Sequence, residues 1–181
     1  MFHSNTQQMI DYWRGKCGLA GLPVRAAIDP TEFAKLAPHA FVLGREASGH
    51  YPVRLSGGLI SELHQQDLRG RNFLSLIDIR GRADLHTALE TARRRPEPMV
   101  AQIEAQSDGA SLILELLFAP IAGGPGSPER FLGLYQPLSL VAALRDQPVR
   151  QLMVREIRGV GPANEETHRL RLATLDGRWV A

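Results

Sequence analysis

Apolar residues near the start of the chain recur at intervals of three and four positions. This spacing places them on one stripe of an α-helix, which we expect from about residue 5 to residue 16. Ser4 or Asn5 is suited to cap this helix. A second helical segment is expected after Asp29, whose side chain suits an N-cap, and Pro30, which suits a first turn. The apolar stripe of the first helix consists of Met9, Ile10, Trp13 and Cys17.

The pattern then changes to the period of two that is typical of β-strands. Two segments, AFVLGREAS and HYPVRLSGG, are separated by a glycine and each predict a strand. In the second segment, Val53 and Leu55 are expected to face one way and Arg54 the other. Pro52 cannot donate a backbone hydrogen bond, so this strand is expected at a sheet edge.

Helical spacing returns after the pair Gly57 and Gly58. Short helical pieces are expected over residues 59–63 and 73–77, and a longer helix from about residue 82 to residue 95. Three arginines end this longer helix, where positive charge complements the helix dipole.

Three further strands complete the pattern. The segment PMVAQIEAQ alternates, SLILELLFAPI is apolar on both faces and predicts a central strand, and RFLGLYQPL returns after a hairpin loop GGPGSPE. In the central strand, Glu115 is expected to emerge at the outer sheet face and meet an arginine. The sequence therefore predicts an α+β fold, a five-stranded antiparallel sheet with helices on one face, plus an N-terminal helix and a C-terminal extension.

Three regions follow from this reading. Residues 1–37 form an N-terminal helical extension, residues 38–144 the sheet-containing domain, and residues 145–181 an arginine-rich tail. Two segments of the tail, QLMVREIRGV and HRLRLATLDGRW, can each form a strand. Ile113 and Leu117 on the outer sheet face need cover, which the N-terminal helix of the same chain or of a second subunit can supply.

Composition adds limits on the compartment. With 181 residues, of which 44% are hydrophobic and 22% charged, the chain is long enough to bury one core. Cys17 is the single cysteine, so no disulfide can form within the chain and a reducing compartment is expected. The first residues lack the pattern of a signal peptide, and no apolar stretch is long enough to cross a bilayer. We therefore expect a cytoplasmic protein without a membrane contact.

The candidate chemistry is sparse. The Arg-Gly-Arg motif around Gly70 has one glycine and no lysine, so it is interpreted as a backbone turn rather than a phosphate-binding loop. The six histidines form no metal-binding spacing, no nucleophile motif is present, and no catalytic set can be assembled, so an enzyme is not expected. Cys17 is not beside the sheet, which argues against a flavin adduct. Acidic residues in the tail and the lack of interleaved aromatics argue against nucleic-acid binding.

Several consecutive motifs carry a resemblance to a known family: YWRGKCG, IDPTEFAKLAPHAFVL, YPVRLSGGLISEL, LRGRNFLSL and the closing pair LILELLFAP and FLGLYQPL. Together they resemble the alphaproteobacterial single-PAS-domain proteins, over roughly residues 10–140. The resemblance implies a small cytoplasmic sensor or protein-interaction domain in signal transduction with no output domain of its own. It implies no particular ligand or cofactor.

The expected ligand pocket lies between the helices and the sheet. Candidate ligand-binding residues, chosen for apolar or tunable character, are Leu63, Phe73, His86, Leu89, Leu114 and Tyr135. In some PAS proteins a histidine from the corresponding helix binds haem, so a haem-based gas or redox sensor using His86 is the alternative. The partners expected are a second copy of the chain, an unidentified signalling protein and a small-molecule ligand.

Overall fold

The structure is a computed structural model, and it describes residues 1–18, 21–123 and 129–161. Within these ranges six strands form one sheet in the order β2-β1-β5-β4-β3-β6, and all neighbouring strands are antiparallel. The strands are β1 Ala40–Gly44, β2 Val53–Ser56, β3 Met99–Ser107, β4 Ala110–Ile121, β5 Arg130–Pro137 and β6 Gln151–Gly159. The helices are α1 Ser4–Lys16, α2 Gly58–His64 and α3 Ile79–Arg94. Short 3₁₀ segments span Arg25–Ala27, Pro30–His39, Phe73–Leu76 and Val141–Leu144.

The predicted α+β architecture is confirmed, but the sheet has one strand more than the five expected. The additional strand, β6, comes from the first part of the predicted tail and pairs with β3. Its sequence is rich in charge because its outer face is exposed, and this composition masked its place in the sheet. The division at residues 37 and 144 stays a prediction. The strand predicted within residues 168–179 and most of the hairpin loop at 123–129 lie outside the described residues.

Two apolar cores lie on opposite faces of the sheet. The inner core joins α2, α3 and the Phe73–Leu76 segment to the sheet, and β4 contributes Leu112, Leu114, Leu116 and Phe118 to it. The outer core lies beneath α1 and the Pro30–His39 segment, and β4 contributes Leu117 and Ile121 to it. The alternation predicted for β4 is therefore confirmed, because odd and even positions along a strand face opposite sides.

The outer face is covered by α1 of the same chain. Met9 and Ile10 pack into the outer core, and Trp13 is fully buried and donates from Nε1 to the Pro120 carbonyl oxygen at 2.7 Å. The helix begins one residue before the expected range, because the imidazole of His3 accepts a hydrogen bond from the Asn5 N–H and serves as the N-cap.

Glu115 lies at the outer face as predicted, but the prediction that it meets an arginine there is wrong. Its carboxylate accepts a hydrogen bond from the backbone N–H of His3 at 3.0 Å. Backbone N–H groups at the N-terminal end of a helix have no partner within the helix, and this end of α1 lies close to Glu115. One such N–H therefore supplies a hydrogen bond to the carboxylate of Glu115, a residue that is 8% exposed, and no arginine is needed.

The predicted facing of β2 is also wrong at one position. Val53 is buried and Arg54 is exposed as expected, but Leu55 is 47% exposed. The register with β1 shifts between Val42 and Leu43, which lie opposite Leu55 and Val53 respectively. Adjacent residues of β1 face opposite sides of the sheet, so this bulge breaks the simple alternation in β2.

The long helix α3 begins at Ile79, three residues before the predicted start. Asp78 is its N-cap and accepts hydrogen bonds from the N–H groups of Arg80 and Gly81, at 3.0 and 3.2 Å. Gly81 lets the helix approach β6, because a Cβ at this position would lie 2.8 Å from the Val154 side chain. The predicted N-cap Asp29 is confirmed, since it accepts from the Thr31 N–H at 2.9 Å.

Candidate functional site

Five of the six predicted ligand-binding residues lie together in the inner core. Leu63 is on α2, Phe73 begins the short 3₁₀ segment, Leu89 is on α3, Leu114 is on β4 and Tyr135 is on β5. Each is at most 4% exposed. These side chains therefore pack where the sequence placed the pocket, between the helices and the sheet.

Aromatic rings occupy one side of this region. Phe73 stacks on Phe41 with ring centroids 5.5 Å apart and meets the edge of Phe118 at 5.6 Å. Phe41 in turn lies over the backbone of Gly133, where a Cβ would be 2.1 Å from the ring. Such contacts add about 0.5–1.5 kcal/mol per pair beyond the apolar area that they bury.

The other side contains a buried polar pair that sequence reasoning missed. His64, the last residue of α2, is 3% exposed, and its Nε2 hydrogen bonds with the Tyr135 hydroxyl at 3.0 Å. Its Nδ1 is buried and has no hydrogen-bond partner among the described residues. The spacing of apolar residues along α2 does reach position 64, and this is the signal that marks it as a core histidine.

The environment keeps the imidazole neutral. Burial lowers the pKa of His64 from 6.5 to about 4, against a smaller opposing effect of the Val149 backbone, and the Arg71 charge lowers it further. Burial also raises the pKa of the Tyr135 hydroxyl above its ordinary value of 10.0. The pair is thus an uncharged donor–acceptor unit with one nitrogen, Nδ1, left to meet a polar group.

The sixth predicted residue, His86, lies elsewhere. It is half-buried on α3, where its Nε2 contacts the Ser48 hydroxyl at 3.2 Å and its ring meets Tyr51 at 6.1 Å. It borders an open groove of about 370 Å³ lined by Gly49, Asn72, Leu74, Ser75, Ile79, Arg82, Ala83 and His86. The described residues around His86 enclose no apolar pocket of porphyrin size, so they do not fit haem held by this histidine.

An ion network beside this groove ties α3 to the sheet. Glu90 receives two hydrogen bonds from Arg45, at 2.8 and 3.2 Å, and a short one from the Tyr51 hydroxyl. Arg93 bridges Glu90 and Glu129. The Arg45 guanidinium is the main cause that lowers the pKa of Glu90 to about 2, and the Tyr51 hydroxyl and Arg93 act in the same direction. Only Glu90 and Arg93 are close in sequence, so the sequence pattern could not predict the contacts that Arg45, Tyr51 and Glu129 make in this network.

The Arg-Gly-Arg motif is a turn that pairs with β2. Gly70 has φ +80°, a left-handed conformation that favours glycine, and its N–H donates to the Val53 carbonyl oxygen at 2.8 Å. The Val53 N–H donates to the Arg71 carbonyl oxygen at 2.9 Å. The N–H of Gly70 thus holds the edge of the sheet, and the N–H groups of Arg69 and Arg71 bond within the turn, to the Asp67 carboxylate and the Leu68 carbonyl oxygen. The interpretation as a backbone turn agrees with this geometry.

Three further features bear on the class of protein. No group of three or more potential metal ligands is found within residues 1–18, 21–123 and 129–161. None of the helices in the described parts of the chain combines the length and the apolar character that a membrane crossing needs. Cys17 lies at the end of α1, where burial raises the pKa of its thiol.

An antiparallel sheet with short helices and one longer helix between its second and third strands is the architecture of a PAS-type sensory domain. The comparison with protein families agrees, because the model described as "PAS domain" matches residues 1–136. The chain therefore belongs to the PAS domain family. This assignment fits a sensory module of signal transduction, as the sequence predicted.

Solved structures with similarity to the chain are also PAS or LOV domains. A LOV protein of Rhodobacter sphaeroides is 16% identical, with a TM-score of 0.46 and coverage of 65% of this chain and 74% of that chain. An RNA-binding Light-Oxygen-Voltage receptor is 19% identical, with a TM-score of 0.47 and coverage of 68% and 37%. The PAS domain of Bordetella pertussis BvgS is 16% identical, with a TM-score of 0.39 and coverage of 65% and 93%. No curated protein matches the chain.

Proposed function

We propose that this chain is a PAS-fold sensory or protein-interaction module that acts as a homodimer in the cytoplasm. In this proposal the module passes its state to a separate signalling protein. The filled interior supports an interaction role most strongly, since Leu63, Phe73, Leu89, Leu114 and Tyr135 are all buried against the core.

In this proposal a small-molecule ligand binds at the buried polar pair of His64 and Tyr135. A ligand between the helices and the sheet must displace apolar side chains, and such displacement is favourable only when the ligand replaces their contacts. His64 Nδ1 has no hydrogen-bond partner among the described residues, and the same imidazole contacts the Tyr135 hydroxyl through Nε2. A flat apolar molecule with one hydrogen-bonding group matches this chemistry.

The output in this proposal is the position of α1. This helix packs on the outer face of the same sheet whose inner face carries the candidate pocket residues. Contacts near both ends hold it, among them those from the His3 N–H to Glu115 and from Trp13 to the Pro120 carbonyl oxygen. A ligand or partner that favours one arrangement of the sheet shifts the population of docked and released helix.

Native mass spectrometry of the freshly purified full chain tests this proposal, because it reports both the number of subunits and any retained molecule. We expect a dimer. A retained small molecule would establish the ligand-binding form of the proposal, and a His64→Leu variant should then lose it. A monomer at every concentration up to the micromolar range would contradict the homodimer.

The haem alternative has its own test. We expect no Soret band in the visible spectrum after haem is supplied to the purified protein, because His86 borders an open groove. A Soret band that disappears in His86→Ala but persists in the control His50→Ala would establish the alternative instead.

A further inference from the structure

β6 is an edge strand that pairs with β3 on one side. On its other side the Asp78 N–H donates to the Leu152 carbonyl oxygen at 2.9 Å, next to an isolated bridge between Ile77 and Leu152. Beyond Leu152, no strand of the described residues pairs with this other side. Val160 directly follows β6, and its N–H donates to the Pro98 carbonyl oxygen at 3.0 Å. Backbone groups alternate in direction along a strand, so Arg158 and Glu156 also direct theirs toward β3. Ile157 and Gly159 therefore direct their N–H and C=O groups away from the sheet.

The side chains that flank Ile157 carry opposite charges. Glu156 and Arg158 lie on the exposed outer face and are paired with each other along the strand. Charged residues on an edge strand normally oppose association. Here one residue of each sign stands on either side of a central apolar residue, and such a strand is complementary to an antiparallel copy of itself.

An apolar groove lies beside the same edge. It has a volume of about 180 Å³ and runs between the end of α3 and β6. Its lining includes Ala88, Ala92, Pro98, Met99, Ile157 and Gly159. Ile157 is half-buried, so a second apolar side chain placed next to it would extend the inner core across the edge.

We propose that two copies of the chain pair through β6, antiparallel, about a two-fold axis at Ile157. In this arrangement the N–H of each Ile157 donates to the carbonyl oxygen of the partner's Ile157, and the two sheets become one. Glu156 then lies opposite the partner's Arg158, and Arg158 opposite the partner's Glu156. The inference rests on the homodimer proposed above and names its surface.

A two-fold axis relates identical residues that lie directly opposite each other, and the two copies exchange both backbone hydrogen bonds when the backbone of that residue faces the free edge. An axis at Glu156 or Arg158 would place like charges opposite each other, and the backbone groups of these two residues face β3. Ile157 satisfies both the hydrogen-bond and the charge condition.

The interface is also connected to α1. The Val160 carbonyl oxygen accepts a hydrogen bond from Arg14 of α1 at 3.0 Å. Pairing at β6 therefore holds the segment that contacts the helix, and it links the dimer to the position of α1.

Charge exchange tests the register. Glu156→Arg or Arg158→Glu alone should place like charges opposite each other twice, and we expect the dimer dissociation constant to rise about 10-fold or more. The double variant Glu156→Arg/Arg158→Glu should restore dimerisation. Analytical ultracentrifugation measures all three, and melting temperatures confirm that each variant is folded. Higher salt should weaken the wild-type dimer.

Cross-linking tests the axis directly. In a hydrogen-bonded antiparallel pair the two Cα atoms are about 5.5 Å apart, within the range of a disulfide. In a Cys17→Ser background, Ile157→Cys should form a disulfide dimer under mild oxidation. The control Leu55→Cys, exposed on the opposite edge strand β2, should stay monomeric on a non-reducing gel.

The outcomes separate the two proposals. If the wild type is a dimer but neither charge variant weakens it and Ile157→Cys does not cross-link, the β6 interface is wrong and the homodimer stands. If the wild type is a monomer, the homodimer and this interface are both wrong. Slow amide exchange at Ile157 in such a monomer would indicate that another segment of the same chain covers the edge.

Discussion

His64 and Tyr135 place a polar contact inside an otherwise apolar inner core. A buried polar atom without a partner costs about 1–3 kcal/mol, and His64 Nδ1 is such an atom among the described residues. A protein gains nothing in stability from this arrangement compared with an apolar side chain of similar volume. The pair is therefore a feature of the interior that apolar packing alone does not explain.

The lowered pKa of His64 predicts a loss of stability in acid. The unfolded chain, with a pKa of 6.5, binds a proton before the folded protein, with a pKa of about 4. The contribution of His64 to the free energy of unfolding is therefore complete above pH 6.5, and it is lost as the pH falls from 6.5 toward 4. The difference corresponds to about 3 kcal/mol.

Urea unfolding at several pH values measures this effect. The free energy of unfolding should fall less steeply between pH 6.5 and 4 in His64→Gln than in the wild type. Gln8→Ala, which removes no titratable group from an exposed position of α1, should keep the wild-type slope. Identical slopes for His64→Gln and the wild type would contradict the assignment of this histidine.

Gly133 gives a second prediction about a single residue. An added Cβ would lie 2.1 Å from the Phe41 ring, which also stacks on Phe73. Gly133→Ala must therefore displace a packed ring, and we expect a loss of about 1–3 kcal/mol in chemical denaturation. Gly15→Ala is the matched control, because nothing lies within 4 Å of its Cβ position on α1. The control should be neutral or slightly stabilising, since alanine favours a helix.

Helix α1 depends on the sheet for its stability. Its 13 residues are near the length below which isolated helices are marginal in water. The burial of Met9, Ile10 and Trp13 on the outer face adds the stabilisation that helix propensity alone does not provide. A helix held in this way can be released as a unit when the face beneath it changes.

Trp13→Ala tests how firmly α1 is held. The substitution removes a fully buried ring and the hydrogen bond to the Pro120 carbonyl oxygen, so we expect a loss of about 3–5 kcal/mol or separate unfolding of the helix. Trypsin cleavage after Arg14 or Lys16 of α1 should then become faster. Asp11→Ala, on the exposed face of the same helix, should change stability by less than about 0.5 kcal/mol. Equal effects of the two substitutions would show that α1 does not dock as described.

The whole molecule is a sheet with an apolar core on each face. The inner core holds α2, α3 and the candidate site, and the outer core holds α1. Central strands such as β4 contribute side chains to both cores, so the two cores pack against the same backbone. This arrangement is the physical basis for the coupling between pocket and helix in the proposed function.

Two substitutions test which positions of this sheet are buried and which are exposed. Leu114→Asp places a charge at a fully buried position of β4 and should prevent folding. Arg54→Ala, on the edge strand β2, removes an exposed ion pair with Glu46 and should be tolerated. Soluble yield and melting temperature distinguish them. Equal values for both variants would contradict the facing of these strands.

The strongest sequence predictions concerned long periodic segments. The alternation of Leu112 to Phe118 predicted a central strand, and the spacing of Met9 to Trp13 predicted a helix. Both are confirmed, because each pattern repeats over enough residues to exclude the other period. Leu55 was assigned to the wrong face because a bulge between β1 and β2 depends on a neighbouring strand. The place of β6 in the sheet was missed for the same reason. It depends on a neighbouring strand, and an edge strand needs only one apolar face.

Local order along the chain was thus enough to determine the elements, the α+β class and the membership of five candidate residues in one core. The tertiary structure alone decided that α1 covers its own sheet, that Glu115 meets a backbone N–H, that His64 joins Tyr135 and that His86 faces a groove. The physical reason is distance along the chain. Periodicity records which face of an element is buried, whereas the partner on that face is contributed by residues that only folding brings near.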